Sequence, residues 1–146
     1  MDNKLYYFSY GMNCNPEIMA MHDNCKALGV ATLTGYHLVF KFHANIEPGE
    51  KMMGVLWEIN EETLKRLDYQ ESYPTHYDRA IVEVQCCDGL KYKAHVYILA
   101  NTAPKFTFDT LPTDEYIKHI IFGYSKFGIP KTQLNNALDK IKIGVL

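Results

Sequence analysis

The chain has 146 residues, 47% of them apolar, and a formal net charge of −2. Its length and apolar content exclude a disordered chain and are typical of one domain with one core, so we expect a single domain over residues 1–146. Acids and bases are scattered along the chain, which excludes a basic stripe for phosphates; nucleic acid is therefore not an expected partner.

The beginning of the chain and its cysteines indicate the compartment. Residues 1–4 lead directly into a strand-like segment, without the apolar stretch of a secretory signal. No run approaches the roughly 18 apolar residues of a membrane span. We therefore predict a cytoplasmic protein with no membrane partner. The cysteines show neither zinc-site nor disulfide spacing, so we expect free thiols at Cys14, Cys25, Cys86 and Cys87.

A strand, a turn and a short helix are the first predicted elements. The bulky aromatic run at residues 5–8 predicts a buried strand, and residues 9–11 predict the turn that ends it. The Asn-Pro pair at 15–16 has the pattern of a helix N-cap, which predicts a short helix over about 17–22.

Two long strands are predicted next. Apolar positions in the later part of residues 29–46 alternate as in a half-buried strand, and residues 52–59 resume a strand. Between them, Glu-Pro-Gly-Glu at 47–50 predicts a turn. We therefore expect the two strands to pair with each other across this turn.

The following segment combines a helix with a hairpin. Asn60 is a candidate N-cap, and residues 61–68 have early acids, later bases and leucines three apart, which predicts a short amphipathic helix. Residues 77–86 and 91–99 predict two strands around an Asp-Gly turn at 87–89. The strands together predict a β-meander core.

The last part of the chain predicts a loop and two helices. Residues 100–112 are polar and contain two prolines, so we expect a loop that crosses the surface. A helical pattern starts at Thr113 and stops at Gly128, and a last helix is expected over about 131–142.

Common catalytic signatures are absent from the sequence. It contains no glycine-rich phosphate loop, no H-E-x-x-H and no G-x-S-x-G motif, and its six histidines form no ligand pattern. Two features remain: a turn at residues 10–13 after the first strand, and Glu71 just beyond the predicted helix. Glu58, Glu61 and Glu62 are rival acids, but Glu58 lies in a predicted strand and the other two offset the dipole of a helix start.

Four parts of the chain resemble motifs of the γ-glutamyl cyclotransferases, in the same order and spacing. Residues 7–13 (Tyr-Phe-Ser-Tyr-Gly-Met-Asn) resemble the Y-G-S-N loop, and residues 54–59 followed by 67–71 resemble the G-V-x-W and L-D-x-x-E-G patterns. Residues 94–97 resemble the strand with a substrate-contacting Tyr, and 112–130 resemble the closing helix and G-L-P turn. The resemblance covers nearly the whole chain.

The resemblance implies an α+β fold, a curved mixed β-sheet or small β-barrel with a few peripheral helices. It also implies an enzyme that cleaves a γ-glutamyl amide through attack by the substrate's own α-amine, which releases 5-oxoproline and a free amine. Glu71 would be the catalytic acid and base, taking a proton from the amine and returning one to the departing nitrogen. Substrate contacts are implied at Tyr10, Gly11, Met12, Asn13, Tyr97 and Tyr116.

No metal or other cofactor is implied by the resemblance. The implied partner is a small-molecule γ-glutamyl substrate, and we expect a monomer or a weak homodimer. The identity of the leaving amine stays open. The alternative is a non-catalytic module that binds a small anionic metabolite in the same pocket.

Three residues depart from the family pattern. Met12 stands where the family has Ser; this keeps the backbone donors of the turn but puts the substrate range in question. Ser72 stands where Gly commonly follows the acid, and Tyr124 stands where a small residue is usual, so we expect both to narrow or reshape the pocket. Tyr77 either faces the same cavity or packs on its strand.

Overall fold

Five strands form the centre of the computed structural model, which describes residues 4–41, 43–100 and 112–145. They close into a barrel in the order β1-β3-β2-β4-β5. The predicted loop at 100–112 lies almost wholly outside the described residues. The strands are β1 (Leu5–Ser9), β2 (Lys26–Lys41), β3 (His43–Ile59), β4 (Tyr77–Cys86) and β5 (Lys91–Leu99).

The first and last strands close the barrel. β1 pairs antiparallel with β3, beginning with Leu5 opposite Ile59, and parallel with β5 where Tyr7 lies opposite His95. The ladders β2–β3, β2–β4 and β4–β5 are antiparallel. One parallel ladder among antiparallel ones makes the sheet mixed. The expected α+β fold with a small mixed barrel is confirmed.

The predicted turn at residues 47–50 is wrong. β2 and β3 form one long hairpin whose strands meet where Lys41 pairs with His43, and residues 47–50 lie within β3. A register shift there places extra residues of β3 opposite Gly35 of β2, which is a β-bulge. Gly35 has a φ of +94°, which glycine adopts easily, and a bulge also tolerates a proline. The Pro-Gly signal therefore marks a bulge and not a chain reversal.

Within the part of the chain that the structure describes, four helices lie around the barrel, and their starts follow the predicted signals. The side-chain oxygens of Asn15, Asn60 and Thr113 each accept a hydrogen bond from a backbone N–H of the first turn. Among the described residues, no helix is long and apolar enough to cross a membrane. The helices are α1 (Pro16–Met19), α2 (Glu61–Gln70), α3 (Asp114–Phe127) and α4 (Thr132–Val145).

The turn after β1 is clamped between the barrel and α3. This turn ends in a short 3-10 helix, Met12–Cys14. Cys14 is fully buried, and its thiol donates to the carbonyl of Ser9 at 3.3 Å. α3 approaches so closely at Gly123 that an added Cβ would lie 2.5 Å from the carbonyl carbon of Cys14. The residues that follow β1 are thus held in place from both sides. All four cysteines are free thiols, as expected.

Candidate active site

A cavity of about 420 Å³ opens at one end of the barrel. Every residue for which the sequence predicted a site role lines it: Glu71, the turn from Tyr10 to Asn13, and two tyrosines from β5 and α3. Tyr77, which the sequence left undecided, lines it too. The full lining is Tyr7, Tyr10, Gly11, Met12, Asn13, His43, Ala44, Gln70, Glu71, Ser72, His76, Tyr77, Tyr97 and Tyr116.

The C-terminal cap of α2 delivers Glu71 to the cavity. Glu71 is the C-cap residue, and Ser72 follows in the left-handed conformation with a φ of +51°. The amide of Ser72 donates to the carbonyl of Tyr69, and the amide of Tyr73 donates to that of Asp68 at 2.9 Å. These bonds form a Schellman motif, which reverses the chain at a defined angle. The carboxyl group is therefore aimed by backbone geometry.

Glu71 is a carboxyl group in a poorly solvated place. Burial raises its pKa from 4.5 to about 7, because charge is costly away from water. Among the described residues, none gives its side chain a hydrogen bond or an ion pair that would stabilise the carboxylate. A carboxyl group with such a pKa holds and releases a proton readily near neutral pH, as a general acid and base must.

The turn after β1 presents backbone donors to the same cavity. The N–H groups of Gly11, Met12 and Asn13 donate to no acceptor among the residues that the structure describes. Buried backbone donors are ordinarily paired, so three consecutive free ones at a cavity wall indicate a place for an oxygen atom of a ligand. Gly11 also lies close to β3, since an added Cβ would come within 3.0 Å of the Cβ of Ala44.

A hydrogen-bonded pair behind the wall fixes Tyr97. The Tyr97 hydroxyl donates to Oδ1 of Asp68 at 2.7 Å, while Oδ2 of Asp68 accepts from Arg79. The Arg79 guanidinium in turn lies 4.7 Å from the ring centre of Tyr73. Asp68 stands one helical turn before Glu71 on α2, so the same helix supplies the acid and the anchor of the tyrosine.

Further tyrosines are tied to the turn and to β3. Asn13 donates from Nδ2 to the hydroxyl of Tyr7 at 3.0 Å. The Tyr116 hydroxyl accepts from the amide of Ala44 at 3.0 Å, and the Tyr77 hydroxyl donates to the carbonyl of Ala44 at 2.8 Å. Fixed tyrosine hydroxyl groups therefore form part of the polar cavity wall.

Several lining residues carry no role in the sequence-based prediction, among them Tyr7 and His43. Tyr7 was interpreted as part of a buried strand and of the motif segment 7–13 without a substrate contact of its own, and His43 as one of six histidines without a pattern. In the structure, the His43 ring packs against Tyr116 with a centroid distance of 5.2 Å. Its pKa is lowered by burial and by nearby His76. The alternation of β1 could have placed Tyr7 on one face with Ser9, but not at this cavity.

The rival acids lie elsewhere. Glu58, Glu61 and Glu62 line a separate, wider depression of about 820 Å³ that none of the predicted site residues lines. Tyr124 does not line the cavity either, so the expectation that it narrows the pocket directly is wrong. Its ring is fully buried behind the turn. Within residues 4–41, 43–100 and 112–145, no group of three or more His, Cys, Asp or Glu side chains is placed to hold a metal ion.

Known proteins share this sequence pattern and this fold. The family model of γ-glutamyl cyclotransferase, AIG2-like, matches residues 7–118. Human γ-glutamylcyclotransferase is 27% identical over 147 residues, which cover 88% of this chain and 74% of the human one; the mouse protein is also 27% identical, over 86% and 72%.

Solved structures agree with the sequence relatives. One of a γ-glutamyl cyclotransferase superposes with a TM-score of 0.75 at 26% identity and covers 96% of this chain and 87% of that one. YkqA from Bacillus subtilis superposes with a TM-score of 0.77 at 22% identity, over 96% of this chain and 55% of its own, and shows the shared fold. The chain therefore belongs to the γ-glutamyl cyclotransferase, AIG2-like family.

Proposed function

We propose that the protein is a γ-glutamyl cyclotransferase that converts a γ-glutamyl amide or peptide into 5-oxoproline and a free amine. The observation that carries this proposal is the pairing of Glu71, whose pKa is about 7, with a turn of unpaired backbone N–H groups across one cavity. The names of the human and mouse relatives point to the same reaction.

Glu71 moves the proton that the reaction requires. The neutral α-amine attacks the γ-carbonyl carbon, and the Glu71 carboxylate takes one proton from the attacking nitrogen as the new C–N bond forms. When the old C–N bond breaks, the same carboxyl group gives that proton to the leaving nitrogen. One proton is thus taken and one returned, which leaves Glu71 as it began. Proton transfer of this kind typically contributes about 10²–10⁴ in rate.

The turn stabilises the charge that develops on the substrate. As the γ-carbonyl carbon becomes tetrahedral, its oxygen gains negative charge and needs hydrogen-bond donors. The N–H groups of Gly11, Met12 and Asn13 are fixed, unpaired donors of that kind. Loss of one such donor typically costs about 3–4 kcal/mol of transition-state stabilisation. Met12 supplies its N–H as well as a Ser would, because the donor belongs to the backbone.

The tyrosines hold the glutamyl chain in a folded shape. Attack within one molecule requires the α-nitrogen to lie about 3–3.5 Å from the γ-carbon. The side chains of Tyr10, Tyr97 and Tyr116 line the cavity. Their hydroxyl groups are hydrogen-bonded to the protein, so the shape of the cavity is fixed. A rigid site of this size lowers the entropic cost of ring closure.

The test is product formation from a panel of γ-glutamyl amines and peptides, followed by mass spectrometry of 5-oxoproline. We expect product with the unaltered protein and none above background with Glu71→Gln, which keeps the shape of the side chain. Glu50→Gln removes an exposed carboxylate from β3 and should keep full activity. Thermal protection by the panel without any product would instead support a non-catalytic binding module, and product from Glu71→Gln would refute the assigned role.

A further inference from the structure

Tyr124 contacts the back of the turn that lines the cavity. It is fully buried on α3, and its hydroxyl donates to the backbone carbonyl of Tyr10 at 2.9 Å. The side chain of Tyr10 is anchored as well, because its hydroxyl donates to the carbonyl of Tyr97 at 2.6 Å. The buried Tyr124 hydroxyl thus holds a backbone carbonyl of the turn that lines the candidate site.

Gln133 of α4 fixes the direction of that hydrogen bond. Its Oε1 accepts from the amide of Met53, and its Nε2 donates to the carbonyl of Met53, both at 2.8 Å. These two hydrogen bonds to β3 exclude the flipped amide. After a flip, the Gln133 NH₂ group would face the Met53 N–H, and the Gln133 oxygen would face the Met53 carbonyl. The second hydrogen on Nε2 goes to the Tyr124 oxygen at 2.9 Å. Tyr124 must therefore direct its own proton away from Gln133, toward Tyr10.

The hydrogen bond to Tyr10 also sets the orientation of Gly11. The peptide bond between Tyr10 and Gly11 is trans, since the only cis bond among the described residues is Tyr73–Pro74. In a trans peptide the C=O and the N–H point in opposite directions within one plane. Because Tyr124 holds the Tyr10 carbonyl, the N–H of Gly11 points away from the Tyr124 hydroxyl. Gly11 itself lines the cavity. A hydrogen bond to the carbonyl also polarises the N–H of the same peptide.

We propose that Tyr124, oriented by Gln133, is a positioning residue for the oxyanion-binding turn. It fixes the Tyr10–Gly11 peptide so that the Gly11 N–H donates to the substrate's γ-carbonyl oxygen as that oxygen becomes charged, beside the N–H groups of the next two residues. This inference rests on the proposed cyclotransferase function. It also connects α4 to the chemistry through a single chain of hydrogen bonds.

Tyr124→Phe tests the inference because it removes the hydroxyl alone. We expect kcat to fall about 10- to 100-fold while KM changes by less than about 3-fold. This fall is smaller than the one caused by loss of a whole donor, because the Gly11 N–H stays and only its orientation is no longer fixed. A second readout is the rate ratio between a γ-glutamyl amide and its thioamide. Sulfur is a weaker acceptor than oxygen, so aligned donors favour the amide, and Tyr124→Phe should lower that ratio.

Two further variants separate positioning from stability. Thr63→Val also removes a buried hydroxyl that donates to a backbone carbonyl, that of Asp23, but outside the cavity. It should lower stability and leave kcat and the thioamide ratio unchanged. Gln133→Glu keeps the Tyr124 hydroxyl but places a carboxylate beside it. The Tyr124 hydroxyl should then donate to this carboxylate and no longer to the Tyr10 carbonyl, which should lower kcat and the thioamide ratio as Tyr124→Phe does.

The outcomes distinguish this inference from the proposed function. If the unaltered protein forms no 5-oxoproline from the panel, the proposed function is refuted. If it does, and folded Tyr124→Phe or Gln133→Glu keeps the unaltered kcat and thioamide ratio, the positioning role alone is refuted. If Tyr124→Phe does not fold, Gln133→Glu decides by the same two readouts. A fall in kcat with an unchanged ratio also counts against positioning.

Discussion

Replacing Glu71 by Gln should make the protein more stable, and more so at high pH. Burial raises the pKa of this carboxyl group from 4.5 to about 7. The folded state therefore holds the proton between these pH values while the unfolded state releases it, so the folded protein loses stability as the pH rises through that window. Gln is a neutral side chain of the same shape and carries no such penalty.

The size of the effect follows from the shift. Each pKa unit corresponds to about 1.4 kcal/mol, and between pH 5 and pH 8 the stability gained by Glu71→Gln should grow by up to about 2.5 kcal/mol. The figure is an upper bound because the side chain keeps some exposure within the cavity. A change of this size is large beside the few kcal/mol that hold a small domain folded.

Urea unfolding at pH 5 and pH 8 measures the effect. The unaltered protein, Glu71→Gln and the exposed-site control Glu50→Gln are compared at both pH values, with free energies of unfolding taken from linear extrapolation. We expect the advantage of Glu71→Gln over the control to widen clearly at pH 8. An advantage that is equal at the two pH values would refute the claim that burial of this carboxyl group costs stability when it ionises.

Three other predictions concern activity, the helix cap and the anchor of Tyr97. The value of kcat/KM should fall as the pH drops below about 7, because protonated Glu71 cannot act as the base; a pH profile that is flat from 5.5 to 8 contradicts this. Ser72→Gly should raise the free energy of unfolding by up to about 1 kcal/mol in urea titrations, since Ser72 has a φ of +51° that glycine adopts without strain; a loss contradicts it. Arg79→Met should lower the free energy of unfolding by about 1–3 kcal/mol, because it leaves the Asp68 carboxylate without its cation. The double variant with Asp68→Asn should regain part of that loss. Full retention of stability by Arg79→Met would contradict this prediction.

Local signals in the sequence predicted most of the elements. The Asp-Gly pair gave the β4–β5 hairpin with its observed bounds, and Asn60 marked the start of α2, because turn and capping residues act over three or four positions. Residues 47–50 were misassigned because a bulge uses the same residue types as a turn. Which of the two forms depends on Gly35, a partner many positions away.

The candidate site was predicted in part for a different reason. Glu71 and the turn after β1 were found through motif resemblance, since nothing in their local pattern separates a buried carboxyl group from a solvated one. Tyr7 and His43 were missed because their place at the cavity depends on how the strands close into a barrel. That closure is set by pairing between distant segments, which periodicity does not reveal.

Because β1 pairs with β5, the candidate site is expected to form late in folding. Tyr7 can pair with His95 only after the three strands and two helices between them, β2 to β4 with α1 and α2, have been brought together. Long-range pairing of this kind slows folding because the entropy of closing the loop is lost before the contact forms. Glu71, the turn at 10–13 and Tyr97 come from the segments that this step joins. A partly folded chain thus lacks the pocket, and recovery of the proposed 5-oxoproline formation during refolding would report barrel closure more specifically than helix content does.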